Sequence, residues 1–404
     1  MNKVRKIVVV GASLAGVRAC QNLRREGFEG HLTLIGDEKH LPYDRPPLSK
    51  TMLTSDQDPL DLTLVSNSDL SDLGLDLILG EQATALNTER SEVTVGGEEI
   101  RYDGLIIATG ARARKLSKFD DIGGIHTLRT VDDALAIRSD LQSSSSVVIV
   151  GAGFIGSEVA AAAKQRGCQV TIVEATEAPL VRGLGVKVGD AYANLLRSND
   201  IDLRLGVSVE DVHGDESVEG VTLTDGAFVS AELLVVGIGA VPNTEWLTTS
   251  GLSVDDGIVC DETLNAGVRG IYAIGDVAKA PNRWLGGRIR RTEHWTTATE
   301  HAALAAKNLL TPENSNSYNS VPFIWSDQGE DRIQIAGDTI DFDEVEILSA
   351  SAEDQAFIAG YRHGDSLAGV MALNNMRSFV KFRRLIAGNG SWHDAVDLSQ
   401  ELQS

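Results

Sequence analysis

Residues 147–156 read Val-Val-Ile-Val-Gly-Ala-Gly-Phe-Ile-Gly, an apolar run that enters a glycine-rich turn. A helical pattern follows up to Arg166, and the apolar run 170–173 ends in Glu174. This order predicts a βαβ unit whose glycines let the pyrophosphate of a dinucleotide approach the positive N-terminus of the helix. The residues of the turn that we expect beside the nucleotide are Gly151, Gly153, Ile155 and Gly156.

The acidic residue Glu174 predicts which nicotinamide dinucleotide the turn takes. A carboxylate at this strand end accepts hydrogen bonds from the ribose hydroxyls and repels a 2′-phosphate. The following Ala175-Thr176 supplies no cation to attract that phosphate. We therefore expect NADH to be preferred over NADPH. The alternative is a glycine-bearing turn that binds no ligand.

A second copy of the pattern begins at the N-terminus. The apolar run 4–10 enters the turn Gly11-Ala-Ser-Leu-Ala-Gly, and another apolar run, 32–35, is followed by Gly36-Asp37. Serine replaces the middle glycine but is small enough to admit a pyrophosphate, so the expected contacts are Gly11, Ser13, Ala15 and Gly16. Asp37 is the expected ribose ligand. It or the adjacent Glu38 is alternatively a solvated turn residue.

Two such sites most simply hold a bound and an exchanging dinucleotide, which we interpret as FAD and NADH. The predicted fold is α/β, with two Rossmann-like, doubly wound, three-layer nucleotide-binding domains and a C-terminal α+β domain. The predicted domains are a discontinuous FAD-binding domain (1–111 and 237–318), an NADH-binding domain (112–236) and the C-terminal domain (319–404). The serine run 143–146 predicts a flexible surface joint near a domain boundary or, alternatively, only a long loop.

Composition excludes several classes of function. The formal charge of −22 disfavours nucleic acid as a partner. Three widely separated cysteines suggest neither a disulfide framework nor a metal site. The sequence has no uninterrupted apolar stretch long enough for a spanning helix, and its N-terminal apolar run enters a glycine turn, unlike a signal peptide. We expect a cytoplasmic protein that binds no membrane and is a monomer or weak homodimer.

Several separated segments follow one recognisable pattern. They are, in chain order, Pro42–Lys50 (Pro-Tyr-Asp-Arg-Pro-Pro-Leu-Ser-Lys), Ala108–Gly110, Gly151–Glu158, Ile274–Val277, Trp325–Gln328 and Gln334–Gly337. Together they resemble the oxygenase-coupled NAD(P)H-dependent ferredoxin reductases, a branch of the glutathione-reductase-like flavoproteins, over essentially the whole chain. The departures are Ser13 and the acidic Gly329–Asp331, and the second bears on which partner the protein takes.

The resemblance implies roles for individual residues. Lys50 and Glu158 are expected to lie near the reactive nitrogen of the flavin and to position the hydride donor, or else to form a purely architectural pair. Asp276 is expected to accept a hydrogen bond from the ribityl chain, or to cap a helix. Trp295 is expected beside the flavin ring, or as an ordinary core residue. The remaining expected FAD contacts are Arg45, Ala83, Thr109, Gly110, Arg129 and Gly275, and those of NADH are Arg182 and Gly239.

The resemblance also implies the reaction. No cysteine pair follows the first ribose acid, so we expect electrons to pass from NADH through FAD to a [2Fe-2S] ferredoxin that serves a Rieske-type oxygenase or a P450. The alternatives are a rubredoxin or small-molecule acceptor, or an apoptosis-inducing-factor-like protein that senses NADH. Two basic clusters, 283–291 and 377–384, are candidate docking surfaces for an acidic ferredoxin or merely solvated faces.

Overall fold

The computed structural model describes residues 4–116, 122–351 and 355–403, and the chain divides into two compact units. Unit 1 consists of Met1–Asp44, Leu60–Arg112 and Val241–Ser320. Unit 2 consists of Arg45–Pro59, Ala113–Ala240 and Val321–Ser404. The chain passes between the units in strands Ala111–Ala113 and Ala240–Pro242.

Unit 1 is built on a five-stranded parallel sheet. Its strands, in spatial order, are Ile271–Ala273, Gly104–Ile107, Lys6–Val10, His31–Gly36 and Leu75–Leu79. The buried parts of the central strands are mostly apolar, as in residues 7–10 and 105–107, because both faces of a parallel sheet are covered. Two smaller sheets are formed by Ala83–Asn87, Glu92–Val95 and Glu98–Arg101, and by Ile258–Val259, Ala278–Asn282 and Arg288–Arg291.

Helix Leu14–Arg25 follows the first strand of unit 1 and packs against helix Trp295–Leu310. The contacting face of the second helix is rich in alanine, which allows the two helices to approach closely. The shorter helical segments of unit 1 are Asn67–Asp72, Glu245–Leu247, Gly275–Val277, Arg283–Leu285 and Pro312–Asn314, and Pro59–Leu62 lies where the chain enters it.

Unit 2 contains a second five-stranded parallel sheet and a five-stranded antiparallel sheet. The parallel strands, in spatial order, are Asp202–Leu205, Gln169–Glu174, Ser146–Val150, Leu233–Val236 and Ile125–Thr127. The antiparallel strands are Phe323–Gln328, Asp331–Gly337, Ser366–Leu373, Ala356–His363 and Glu344–Ser351. A three-stranded antiparallel sheet comprises Val209–His213, Gly220–Leu223 and Phe228–Ser230.

The helices of unit 2 are Pro46–Ser49, Thr51–Thr54, Val131–Leu141, Phe154–Gln165, Val181–Ser198, Met376–Ala387 and Trp392–Gln403. The predicted fold class is confirmed. Unit 1 contains the first Rossmann-like core, and unit 2 contains the second Rossmann-like core and an antiparallel sheet with helices. Within the described ranges, no helix is both long enough and apolar enough to cross a membrane.

The segment Arg45–Pro59 groups differently from the predicted domains, because it packs in unit 2 and not with the FAD-binding sequence. Arg138 Nη1 donates to the carbonyl oxygen of Gln57 at 2.9 Å, and Arg166 Nε donates to that of Leu53 at 3.0 Å. The serine run 143–146 does not lie at a boundary between the two units, because it falls inside the segment Ala113–Ala240 of unit 2. Glu232 accepts hydrogen bonds from the backbone and hydroxyl of Ser145, which holds the end of this turn immediately before strand Ser146–Val150.

Candidate functional site

The glycine turn of unit 2 combines tight packing with one open position. A Cβ at Gly151 would lie 2.4 Å from the carbonyl oxygen of Gly237, and one at Gly156 would lie 2.2 Å from that of Gly151. A Cβ at Gly153 would meet no protein atom within 4 Å. Two glycines are therefore required by the fold, whereas Gly153 leaves free space at the N-terminus of helix Phe154–Gln165.

An exposed apolar side chain borders this space. Ile155, in the first turn of the helix, is 45% exposed although most isoleucines are buried. A bound dinucleotide would cover it and would use the free backbone N–H groups of the helix start. The turn thus fits the nucleotide that the sequence predicts.

Glu174 ends the second strand of this unit, and its carboxylate is held in place. Oε2 accepts a hydrogen bond from the backbone N of Ala152 at 2.8 Å. Oε1 accepts from the backbone N and the hydroxyl of Thr176, at 2.9 and 2.8 Å. A carboxylate has about four lone-pair sites, so it can still accept from a ribose hydroxyl. In the sequence, Thr176 indicates only that no cation follows Glu174; its hydroxyl and backbone N–H also hold the Glu174 carboxylate, which the sequence does not predict.

The other predicted NADH contacts lie in the same unit. Arg182 is exposed in the first turn of helix Val181–Ser198, which follows Leu180 in the left-handed conformation (φ 56°). Gly239 has φ +108°, and a Cβ there would meet no atom within 4 Å. The structure leaves both positions accessible and does not test their role.

The glycine turn of unit 1 repeats the tight packing. A Cβ at Gly11 would lie 2.1 Å from the carbonyl oxygen of Ala108, and one at Gly16 would lie 1.9 Å from that of Gly11. Ser13 has extended backbone immediately before helix Leu14–Arg25. Ala15 lies against Gly275, where a Cβ would come within 3.2 Å of the alanine methyl group. The structure therefore brings the first turn and the Gly275–Val277 turn together.

The two units place their acidic residues differently. Val10 pairs with Ile35 as Val150 pairs with Val173, so the structural counterpart of Glu174 is Gly36. The acidic residues that follow this strand, Asp37 and Glu38, come one and two positions after that counterpart. Asp37 is exposed, while the carboxylate of Glu38 accepts a hydrogen bond from the Tyr43 hydroxyl. Both remain candidates, and Asp37 stays a prediction.

At the predicted Thr109-Gly110 turn, Thr109 forms two hydrogen bonds with Asn243 of the same unit. The Thr109 hydroxyl donates to the carbonyl oxygen of Asn243 at 2.9 Å, and Asn243 Nδ2 donates back to the Thr109 carbonyl at the same distance. Gly110 adopts φ +61°, which a residue with a side chain rarely takes. Ala83 starts a strand and is buried in the apolar core. The FAD contacts predicted for Thr109, Gly110 and Ala83 stay predictions.

The strand end at Asp276 is bordered by two histidines of low pKa. The backbone N of Gly275 donates to Nδ1 of His301 at 3.3 Å. Burial lowers the pKa of His301 to about 3 and that of His294 to about 4, although the Asp276 carboxylate opposes both shifts. Both imidazoles are neutral at pH 7. Trp295 Nε1 donates to Asp44 Oδ1 at 2.9 Å, which fixes the indole at the start of its helix.

Lys50 and Glu158 meet within unit 2, as do the two arginines expected at FAD. Lys50 Nζ lies 2.7 Å from Glu158 Oε2, and Glu158 is only 5% exposed. Arg45 Nη1 donates to the carbonyl oxygen of Arg129. Of the predicted FAD contacts, Arg45, Lys50 and Arg129 belong to unit 2 and the others to unit 1.

All three cysteines, Cys20, Cys168 and Cys260, are buried and unpaired. Burial raises the pKa of Cys20 and of Cys260 to about 12, so neither is a thiolate near neutrality. The residues that the structure describes therefore contain no reactive dithiol.

The two basic clusters differ in their surroundings. In the first, Arg283 pairs with Glu262, and Arg291 pairs with Asp256 and Glu293. In the second, on helix Met376–Ala387, the exposed cations form no ion pair with any carboxylate in the described part of the chain; they are Arg377, Lys381, Arg383 and Arg384. Lys381 and Arg384 share a surface concavity with Asp394, Asp397 and Glu401, so carboxylates of the last helix lie close to this cluster.

Residues 5–302 match the family model described as pyridine nucleotide-disulphide oxidoreductase, and residues 323–403 match the one described as reductase C-terminal. The chain belongs to the pyridine nucleotide-disulphide oxidoreductase family. It is 37% identical to rhodocoxin reductase of Rhodococcus erythropolis, covering 94% of this chain and 89% of that protein. It is 35% identical to the ferredoxin–NAD(+) reductase component of the p-cumate 2,3-dioxygenase system of Pseudomonas putida, covering 90% and 85%.

Among solved structures, the covalent putidaredoxin reductase–putidaredoxin complex matches with a TM-score of 0.91 and 31% identity, covering 96% of this chain and 94% of the matched chain. The cofactors of the pyridine nucleotide-disulphide oxidoreductase family are FAD and NAD(P)H, and the two glycine turns fit the dinucleotide parts of both. The chain lacks the redox cysteine pair that gives the family its name, because its cysteines are far apart in sequence and buried.

Proposed function

We propose that this protein oxidises NADH and passes the electrons, through bound FAD, to a [2Fe-2S] ferredoxin that serves a Rieske-type oxygenase or a P450. When bound, FAD accepts a hydride and releases electrons singly, which links a two-electron donor to one-electron acceptors. The observation that carries the proposal is the presence of two dinucleotide turns in a chain whose thiols are all buried. The names of the relatives, a rhodocoxin reductase and a ferredoxin–NAD(+) reductase component, support the choice of acceptor.

The residues of unit 2 bind and orient the nicotinamide dinucleotide. In the proposal, Gly153 gives the pyrophosphate access to the helix N-terminus, and Glu174 accepts from the ribose hydroxyls and excludes a 2′-phosphate. Arg182 and Gly239 line the same dinucleotide. The Lys50–Glu158 pair orients the nicotinamide, since Glu158 lies on the helix that starts at the pyrophosphate.

The residues of unit 1 hold FAD in the proposal. Gly11, Ser13 and Gly16 admit its pyrophosphate, and Asp37 accepts from its ribose. Asp276 accepts from the ribityl chain, and the N-terminus of helix Trp295–Leu310 stabilises negative charge on the reduced ring. No side-chain nucleophile takes part, so binding and orientation are the contributions of the protein.

Rapid-mixing reduction of the FAD-loaded protein tests this function. NADH is expected to bleach the flavin absorbance faster than NADPH, and the reduced protein is expected to pass electrons to at least one member of a panel of [2Fe-2S] ferredoxins. Rubredoxin, ferricyanide and a quinone serve as control acceptors. Efficient transfer to a control but to no ferredoxin would contradict the acceptor assignment. Slow reduction with a long-lived NAD⁺ complex would instead favour an NADH sensor.

A further inference from the structure

The carboxylate of Glu158 receives a donor from the C-terminal sheet as well as from Lys50. Ser326 Oγ donates to Glu158 Oε1 at 2.6 Å. The other oxygen, Oε2, accepts from Lys50 Nζ at 2.7 Å and from the Ser49 hydroxyl. Both oxygens of the buried carboxylate are therefore occupied, and each is fixed by a different part of unit 2.

The Ser326 hydroxyl has only one proton, and its surroundings direct that proton to Glu158. Gln328 Nε2 donates to Ser326 Oγ at 3.2 Å, so the serine oxygen is already an acceptor on that side. Gln328 Oε1 in turn accepts from the Tyr192 hydroxyl. Every hydrogen bond in this series is donated towards Glu158: from Tyr192 to Gln328, from Gln328 to Ser326, and from Ser326 to Glu158. Each of these four side chains is 5% exposed or less. Such a buried chain has little freedom to rearrange.

Strand Phe323–Gln328 holds this chain of donors rigidly. Ser326 and Gln328 share one face of the strand, because side chains alternate along it. The strand pairs with Asp331–Gly337, placing Ser326 opposite Ile333. Phe323, on the other face, stacks against Trp325 at 5.8 Å between ring centroids. The position of Ser326 is thus set by the C-terminal sheet.

We propose that Ser326 is a positioning residue, which orients the Glu158 carboxylate, and through it Lys50, for hydride transfer from NADH. The inference rests on the proposed function of the Lys50–Glu158 pair. It assigns the C-terminal domain a part in the oxidation of NADH, in addition to any contact with the electron acceptor.

The test is Ser326→Ala in the FAD-loaded protein, with Ser399→Ala as a matched control. Ser399 is also a buried serine of the C-terminal domain, but its hydroxyl donates to the carbonyl oxygen of Leu348. We expect Ser326→Ala to lower the rate constant of flavin reduction at saturating NADH about tenfold, with a smaller change in the Kd of NADH. The long-wavelength absorbance of the reduced flavin beside NAD⁺ is expected to weaken. Ser399→Ala is expected to keep the wild-type rate and spectrum.

A double-mutant cycle separates positioning from a structural role. In the Glu158→Gln background, Ser326→Ala is expected to change the rate less than twofold, because the serine acts only through that carboxylate. The unfolding temperatures of the four proteins in the cycle provide a readout that does not depend on activity. A tenfold loss that persists with Glu158→Gln, or an equal loss in Ser399→Ala, would overturn the proposal.

Tyr192→Phe is the second variant, in case Ser326→Ala folds poorly. It removes the hydroxyl that donates to Gln328, the first hydrogen bond of the series that ends at Glu158. Tyr192→Phe is expected to slow flavin reduction twofold to threefold. The matched control is Tyr361→Phe, because Tyr361 is a buried tyrosine that donates to the carbonyl oxygen of Leu184. Equal rates in the two variants would count against the proposal. A wild-type flavin that NADH does not reduce overturns the proposed function and this inference together, whereas normal wild-type reduction leaves the variants to decide the inference alone.

Discussion

Glu174 Oε2 accepts a hydrogen bond from the backbone N of Ala152 at 2.8 Å, which ties the end of the second strand to the glycine turn that precedes the helix. Thr176 holds the other carboxylate oxygen. The negative charge is therefore fixed beside the turn before any nucleotide binds. A 2′-phosphate brought to this place would meet a carboxylate that cannot easily turn away.

Glu174→Ala is expected to reduce the preference for NADH over NADPH at least tenfold, because it removes that charge. The ratio of kcat/KM for the two dinucleotides measures the change. Glu177→Ala removes the same charge from an exposed position three residues later and is expected to leave the ratio unchanged. An unaltered ratio in Glu174→Ala would contradict the assignment of the ribose acid.

Gly153→Ala is expected to weaken NADH binding tenfold or more while leaving the unfolding temperature nearly unchanged. The added methyl group meets no protein atom and the backbone φ of −78° suits alanine, but it occupies the space assigned to the pyrophosphate. Titration with NADH and thermal unfolding measure the two effects. Gly388→Ala, at another unstrained glycine, is the control for the substitution itself. Normal NADH affinity in Gly153→Ala would place the dinucleotide elsewhere.

The free energy of unfolding is expected to fall as the pH drops below 6.5. Burial lowers the pKa of His301 to about 3, so between these two values the unfolded chain binds a proton that the folded chain does not. The contribution of His301 to the free energy of unfolding is fully present above pH 6.5. Below pH 6.5 it decreases by at most about 1.4 kcal/mol per pH unit.

His301→Gln removes this group and is expected to make the dependence on pH shallower, as measured by urea unfolding midpoints at pH 7.5, 6 and 5. His393 is 84% exposed, so His393→Gln is expected to keep the wild-type dependence. Parallel curves for all three proteins would show that the imidazole of His301 does not set the response to acid.

Lys381→Glu is expected to lower kcat/KM for an acidic ferredoxin threefold to tenfold at low salt, because the substitution reverses an exposed positive charge that forms no ion pair among the described residues. The effect should shrink at high ionic strength, where charges are screened. Reduction of ferricyanide should not change. Arg90→Glu makes the same change of charge at an exposed position of unit 1 and is the control. Equal effects of the two substitutions would argue against docking on this helix.

The nucleotide-binding cores could be predicted because their signals are local. Strands buried on both faces, such as Val147–Val150, are continuous apolar runs, and each glycine turn directly follows its strand. The sequence predicts an α+β domain at the C-terminus, but it does not indicate the first strand, Phe323–Gln328, or the last helix, Trp392–Gln403. Lys50 and Glu158 were paired only through the family resemblance.

The features that the sequence did not reveal depend on contacts between distant residues. Ser326 and Glu158 are separated by 168 positions, and neither residue alone indicates the other. The first arginine cluster looked uncompensated because Asp256, which pairs with Arg291, lies 35 positions earlier. Thr176 was adjacent to the acid, but a hydroxyl that holds a carboxylate has no distinctive spacing.

The placement of Arg45–Pro59 in unit 2 has a practical consequence for exchanging parts between relatives. A fragment cut as Ala113–Ala240 would lose the segment Arg45–Pro59, whose carbonyl oxygens accept hydrogen bonds from Arg138 and Arg166. The same segment contains Lys50. Helix Phe154–Gln165 would also lose its neighbours from the C-terminal sheet. A transplanted unit 2 must therefore be assembled from three separate pieces of chain. A single uninterrupted graft would carry Glu158 without its ion-pair partner Lys50.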